Sequence, residues 1–585
     1  MAEPIRIANC SGFFGDRLSG AREMVDGGPI DVLTGDWLAE LTMLILSRIR
    51  AKNPGRGFAS TFVTQMEQVM GSCLDRGIKV VSNAGGLDPG GCADALSEVA
   101  DRLGLAPRIA FVDGDDLMER AVALAAAGDL VAFDPNNGLG DVTRYVSANA
   151  YLGCWGIVDA LAGGADIVVT GRVTDAAVVC GPAAHHHGWK RTDWDALAGA
   201  VVAGHVIECS GQATGGNYSF FTEVPGRQHV GFPWAEVHED GSSVIGKHDG
   251  TGGLVSVGTV TSQLLYEIGG HRYLGPDVTS RFDTIELEAV GENRVRISGT
   301  RGEPPTGNLK VAMNELGGYR NDMVLAVTGL DIEEKAVMAI EALWDASPFQ
   351  PEDFAECEVK LVRTDHEDPA SNEAATAQLR ISVKDRDERK VGRAFSNALT
   401  ETGLSSIPGF YSLSGGPSAG HPYGVYRPAL VPADLVPSYV HLDGSTRLVE
   451  STSPFEEVGV INSRPGPSGP VPSGPTRRAP LGTLFGTRSG DKGGDANLGI
   501  FARRDEDYLW LDATLTIDEF RRLLPETSSF EIDRYAFPNL RALNFVVHGI
   551  LSEGVAASTR SDSQAKSLGE WLRARFVELP VRLLD

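Results

Sequence analysis

Up to about residue 220 the chain alternates short apolar runs with stretches of helical spacing. Ile5 to Cys10, Ile30 to Leu33, Ile78 to Asn83, Arg108 to Val112 and Ala165 to Thr170 read as strands. Between them, Trp37 to Ile49 places Trp37, Leu38, Leu41, Leu44 and Ile45 at helical intervals, and a second helix is predicted from about Gly91 to Leu103. Strands that alternate with helices imply βαβ units and a mostly parallel sheet, whose ligands sit at the carboxyl ends of its strands. From about residue 225 to 345 the pattern changes. Thr284 to Val290 and Arg294 to Ser298 alternate apolar with polar around Gly291-Glu292-Asn293, an antiparallel hairpin, and residues 332–345 form one helix. A further α/β piece is expected to about residue 455.

Residues 464–480 are rich in Pro, Gly and Ser and read as an extended linker. The predicted organisation is therefore an α/β domain over 1–463 with an antiparallel insertion, then a small α+β module over 481–585. In the module, strands are expected near 481–486, 496–503, 529–534 and 542–547. One helix starts at Thr516, with Glu519 completing a capping box, and another covers 563–577.

Three near-motifs fail on context. Gly241 to His248 resembles a phosphate-binding loop, but His248 stands where Ser or Thr is needed and Asp-Gly-Thr-Gly-Gly follows, so a hairpin turn is expected. Gly416-Pro417-Ser418-Ala419-Gly420 has the spacing of a nucleophile elbow, yet Pro422 opposes the helix that an elbow needs. His185-His186-His187 are adjacent residues that do not converge on one ion, and they read as a solvated turn; no metal is predicted. No G-x-G-x-x-G follows a strand, which disfavours a dinucleotide site.

Four segments keep a chemical reading. In Asn83-Ala84-Gly85-Gly86, after a strand, Asn83, Gly85 and Gly86 can bring backbone N–H groups to a ligand, and the helix N-terminus that follows favours an anion. In Thr170 to Asp175, Arg172 can clamp a carboxylate or phosphate while Asp175 orients it or acts as base; an internal Arg–Asp pair is the alternative. In Glu208 to Asn217, Glu208 is a candidate general base, Cys209 a nucleophile or an inert thiol, and Gly215, Gly216 and Asn217 complete the loop. Residues 486–497 carry Arg488, Asp491, Lys492 and Asn497 among four glycines, and are expected to form a loop that nests an anion rather than a plain hairpin.

The 585 residues carry 52 Lys+Arg against 78 Asp+Glu, a net charge of −26, which argues against nucleic acid or an anionic membrane as partner. Seven cysteines without a C-x-x-C pair, no signal-like start and no long apolar stretch predict a reduced, cytoplasmic protein.

Together, Ala165 to Ala176, Glu208 to Asn217, Tyr273 to Asp277, Ser489 to Asn497 and the early NAGG at 83–86 resemble the acyclic terpene utilisation proteins of the AtuA type over nearly the whole chain. The resemblance implies a ferredoxin-like fold for the appended module and a place in the catabolism of branched acyl-CoA intermediates. The favoured reading is a lyase, either a hydratase or a carbon–carbon lyase, acting beside a thioester carbonyl. Its substrate is a small-molecule acyl-CoA, coenzyme A enters only as part of that substrate, no other cofactor is expected, and the enzyme is a homo-oligomer. Glu208 or Asp175 would move the proton, and Arg172 or glycine N–H groups would stabilise the oxyanion. The alternative is a non-catalytic assembly partner of acyl-CoA-processing enzymes.

Overall fold

A computed structural model describes residues 3–134, 138–450 and 459–584. The end of the α/β piece expected near 455 lies outside the described residues. The chain forms two compact units, one of Met1–Asn314, Tyr426–Val555 and Asp562–Asp585, the other of Glu315–Val425 and Ala556–Ser561.

The first unit is built on an eleven-stranded mixed sheet. Its centre is five parallel strands: β1 (Ile5–Asn9), β2 (Val32–Gly35), β3 (Lys79–Ser82), β4 (Ile109–Asp113) and β5 (Ile167–Thr170), in the order β1-β2-β3-β5-β4. Both faces of these strands are covered, which is why they read as continuous apolar runs. Val80, Ile167 and Val169 pack on one face with Phe62, Met66, Val69 and Leu96 from helices Ser60–Arg76 and Pro89–Leu103. Val81 and Val168 pack on the other with Val178 and Val202 from helices Ala177–His187 and Trp194–Ile207. The alternation follows the two-residue period of a strand. Antiparallel strands extend the sheet at both sides. Pro233–Val237, Ser243–Lys247 and the hairpin Glu286–Gly291/Arg294–Ser298 follow from β1, and Tyr439–Leu442 and Ser445–Leu448 follow from β4.

The same unit contains the C-terminal module. Phe485–Lys492, Asp495–Ala502, Ala542–Val547 and Ile532–Phe537 form an antiparallel sheet with helices Asp505–Thr514, Ile517–Leu523 and Leu568–Ala574, around a core that includes Leu498, Ile500, Phe520 and Phe545. The second unit pairs residues 319–328 of the long strand Asn308–Thr328 with Thr376–Asp385, and this with Glu356–Val362. Leu325, Leu379 and Ile381 pack there with Leu343 of helix Ile332–Ala346. The turn at 416–420 lies in this unit and leads into strand His421–Tyr426, not into a helix; Ser418 donates its hydroxyl to Asn321 Oδ1 at 2.9 Å. No helix among the described residues is long and apolar enough to cross a membrane.

Several expectations need correction. The helix expected from Trp37 runs Glu40–Lys52, because the backbone N–H groups of Trp37 and Leu38 are held by the side chains of Asn83 and Asp36 in a non-helical entry. His185 to His187 are the last turn of helix Ala177–His187, which Gly188 ends in the left-handed conformation. Residues 563–577 are only partly helical, since strand Phe576–Pro580 pairs with Thr476–Pro480 from inside the Pro/Gly/Ser segment. Residues 486–497 are not an open loop. Phe485–Lys492 and Asp495–Ala502 pair in register up to Lys492 and Asp495, so that the turn is only Gly493-Gly494. The capping box at Thr516 is half formed: Thr516 caps Glu519 N–H, while the Glu519 carboxylate pairs with Arg522.

Candidate active site

Each parallel strand delivers a polar residue at or just beyond its carboxyl end: Asn9 as the last residue of β1, Asp36 after β2, Asn83 after β3, Asp115 after β4 and Arg172 after β5. All five are buried. Asn9 donates its side-chain amide to Glu208 O at 3.0 Å, which ties the sheet to the end of helix Trp194–Ile207. From Leu197 to Ile207 that helix is buried at every residue, so its last turn carries His205 and Glu208 into the interior.

Arg172 is 2% exposed. Its guanidinium lies 4.0 Å from the Tyr151 ring centroid, Nη1 donates to Leu38 O at 3.2 Å, and Nη1 stands 2.9 Å from Asp175 Oδ1. Asp36 accepts from the Asn83 amide and from Leu38 N–H, and it shares the field of Arg172. Burial, then the neighbouring Asp175, pushes the Asp36 carboxyl well above the ordinary range. Glu208 is raised well above its ordinary value for the same reasons, first burial and then Asp175 and Glu267, with Arg172 and Lys492 opposing. His205 Nδ1 lies 3.4 Å from Glu208 Oε1, and burial lowers the imidazole to about 4, which keeps it neutral near pH 7. Asp115 accepts from Arg172 N–H at 2.9 Å and from the Asn149 amide at 2.7 Å, yet burial raises it to about 7.

Glu208 Oε2 and Arg172 Nε are buried with no hydrogen-bond partner among the described residues, as are Asp175 Oδ1, Asn149 Oδ1 and both ring nitrogens of His205. Each such atom costs about 1–3 kcal/mol. A carboxyl that favours its proton and a fixed guanidinium, both with unused hydrogen-bonding capacity, suit proton transfer beside a developing negative charge. Among the described residues no group of His, Cys, Asp and Glu is arranged to hold a metal ion.

The other residues singled out from sequence are held differently. Gly85 sits where a Cβ would meet Thr170 O at 2.5 Å, and Gly86 adopts φ 53° and donates to Asn83 O. The N-terminus of helix Pro89–Leu103, expected to favour an anion, is filled by the chain's own Asp88 carboxylate, which accepts from Gly91 N–H. Gly215 adopts φ 98° against Val224, a Cβ on Gly216 would meet Gly211 O at 2.8 Å, and Asn217 is exposed with φ 56°. The Cys209 thiol is pushed up by burial and by Glu208, which disfavours the thiolate. In the module, Arg488 donates to Gln212 Oε1, Asp491 lies 3.4 Å from Lys566, Lys492 donates to Glu267 O at 3.0 Å, and Asn497 accepts from Glu267 N–H at 2.8 Å.

Sequence reasoning missed Asp36, His205, Asp115 and Glu267. A signal existed for two of them. Asp36 follows β2 directly, but that strand was expected to end at Leu33. His205 is the lone polar residue of an apolar helical run, three positions before Glu208.

A family model described as "Acyclic terpene utilisation family protein AtuA" matches residues 5–442, and one described as "AtuA ferredoxin-like domain" matches residues 479–578. No curated protein matches the chain.

Proposed function

The chain belongs to the acyclic terpene utilisation AtuA family, and from that premise we propose that it is an enzyme acting on branched acyl-CoA thioesters, as a hydratase or a carbon–carbon lyase. Both reactions move a proton at the carbon beside the thioester carbonyl and pass through a negative charge on its oxygen. Glu208 carries the proton. Its raised affinity for it, caused by burial and by Asp175, brings a carboxyl toward the working pH of an acid–base catalyst. Arg172, stacked on Tyr151 and paired with Asp175, faces the developing charge with its remaining N–H. Asp36, held by the Asn83 amide, adds its charge to the field of the guanidinium. Coenzyme A enters as part of the substrate.

The observation that carries this reading is the pair of buried, unpartnered atoms, Glu208 Oε2 and Arg172 Nε, in one cluster at the strand ends. Calorimetric titration of the purified protein with branched acyl-CoA thioesters tests it. Binding in the micromolar to millimolar range, weakened in Arg172→Ala and kept in Glu208→Gln, is the expected result. No binding by the wild type removes the substrate class and favours a non-catalytic partner of acyl-CoA-processing enzymes.

A further inference from the structure

We propose that the second unit carries a homodimer interface, in which strand Glu356–Val362 pairs antiparallel with the same strand of a second copy of the chain. That strand is the last of its sheet. Thr376–Asp385 pairs with it on one side, and no strand among the described residues pairs with it on the other. Its outward N–H and C=O groups form a row that a further strand can complete.

The two faces of the strand differ. Cys357, Val359 and Leu361 stand opposite Val383, Ile381 and Leu379, on the face that helix Ile332–Ala346 covers. At the edge this cover is thin: Cys357 and Leu361 are half-buried and Val359 is exposed. The helix borders the same edge, because its Glu333 pairs with Arg363 just beyond the strand. Val337, one turn along from Glu333, is 54% exposed. A two-fold axis normal to the sheet covers strand face and helix flank together, since it sets the helix of the second copy on the same face as the first.

Charge on the other face selects the partner and the register. Glu356 is held by Lys384 at 2.7 Å, and Lys360 stands 2.6 Å from Glu358 of its own strand. Side chains alternate, so only registers centred on a residue keep the two apolar faces together. Centred on Glu358 or on Lys360, the pairing sets like charges opposite each other at the axis. Centred on Val359, it sets Cys357 opposite Leu361, and Glu358 opposite Lys360 on both sides of the axis. A lysine on an edge wards off most neighbours, but here Glu358 of the second copy answers it. Other outer strands lack this self-complementarity. Glu286–Gly291, at one end of the eleven-stranded sheet, carries Glu286 and Glu288 without a basic residue, and Ser445–Leu448, at the other end, has four residues. In Ile532–Phe537 of the module, Ala536 O already accepts from His271 at 2.8 Å.

Sedimentation velocity of the full-length protein at micromolar concentration tests the interface. Wild type should sediment as a dimer. Glu358→Lys and Lys360→Glu each set like charges across the seam twice, and each should raise the dimer dissociation constant at least about tenfold. Val359→Lys sets like charges on the axis itself, at an exposed site that folding tolerates, and it keeps the test open if a charge-reversal variant folds poorly. Mixing the two reversal variants in equal amounts should restore the dimer, because each cation of one chain then faces a carboxylate of the other. The pair within one strand stays broken in both variants, so recovery comes only from pairing between chains. A monomeric wild type overturns the proposal, as does an oligomer that none of the three variants weakens, or a mixture that associates no better than the single variants.

Discussion

The strand ends of the α/β region and the hairpin of the C-terminal module look alike in sequence, since both set glycines beside Arg, Asp and Asn. Their polar groups differ in how many find partners and in how their carboxyls hold protons. At the strand ends, Arg172 and Glu208 keep buried atoms without partners, and Asp36, Asp115 and Glu208 all have raised proton affinities. In the hairpin, Asn497 satisfies Glu267 N–H, Leu265 O and Asn544 Oδ1 together, and Arg488, Asp491 and Lys492 each meet a partner within the chain, with Arg488 Nε the one buried atom of these four side chains left without a hydrogen bond among the described residues. Folding accounts for all of the second set but Arg488 Nε. The first set carries a desolvation cost that folding does not recover, and such costs gather where function needs them.

The sharpest break of this contrast is Glu208→Gln. Turnover of a branched acyl-CoA should fall by about 10²–10⁴-fold, the usual contribution of a general acid or base. Melting temperature at neutral pH should hold or rise, because a buried carboxyl with raised proton affinity opposes folding there. Arg172→Ala should cost roughly 3–5 kcal/mol in denaturant titration, because it removes the cation whose charge both Asp175 and Asp36 share. An effect below about 1 kcal/mol would show that the guanidinium is not the counter-charge of the cluster.

Asp115 sharpens the contrast through pH. Its folded value of about 7 lies above the ordinary 3.8, so the folded state binds the proton more tightly. Its contribution is therefore neutral below about pH 4, and stability is lost as pH rises from there to about 7, on the order of a few kcal/mol in all. Both donors to this side chain reach a single oxygen, Oδ2, which an Asn can keep. Asp115→Asn should thus fold normally and flatten the pH dependence of melting between about pH 4 and 7. A slope equal to that of the wild type would contradict this. On the satisfied side, Asn497→Ala strips partners from Glu267 N–H and Leu265 O and should cost about 2 kcal/mol. A loss within about 0.5 kcal/mol would mean that the hairpin is not a docking element.

The parallel core was legible because β5 and its neighbours are buried on both faces and so read as unbroken Val/Ile runs. Arg172, Asp175 and Glu208 were legible because each follows an apolar run closely. The hairpin was misread for a physical reason: its glycines look like a flexible loop, but Gly486 and Gly490 lie in the strand where a Cβ would meet Phe501 and Tyr266, and only Gly493-Gly494 form the turn. Asp36 was hidden by a strand that runs past Leu33 to Gly35, and Glu267 by a strained turn whose support lies more than two hundred residues away, at Asn497.

The central claim is that Glu208 exchanges a proton with the carbon beside a thioester carbonyl. Wash-out of deuterium from that carbon of a branched acyl-CoA, incubated with the purified protein in ordinary water, tests it whichever way the full reaction runs. Wild type should release the label, and Glu208→Gln should bind the thioester equally well and release it at least about a hundredfold more slowly. Equal rates in the two proteins, or no release by a wild type that binds the thioester, would contradict the account.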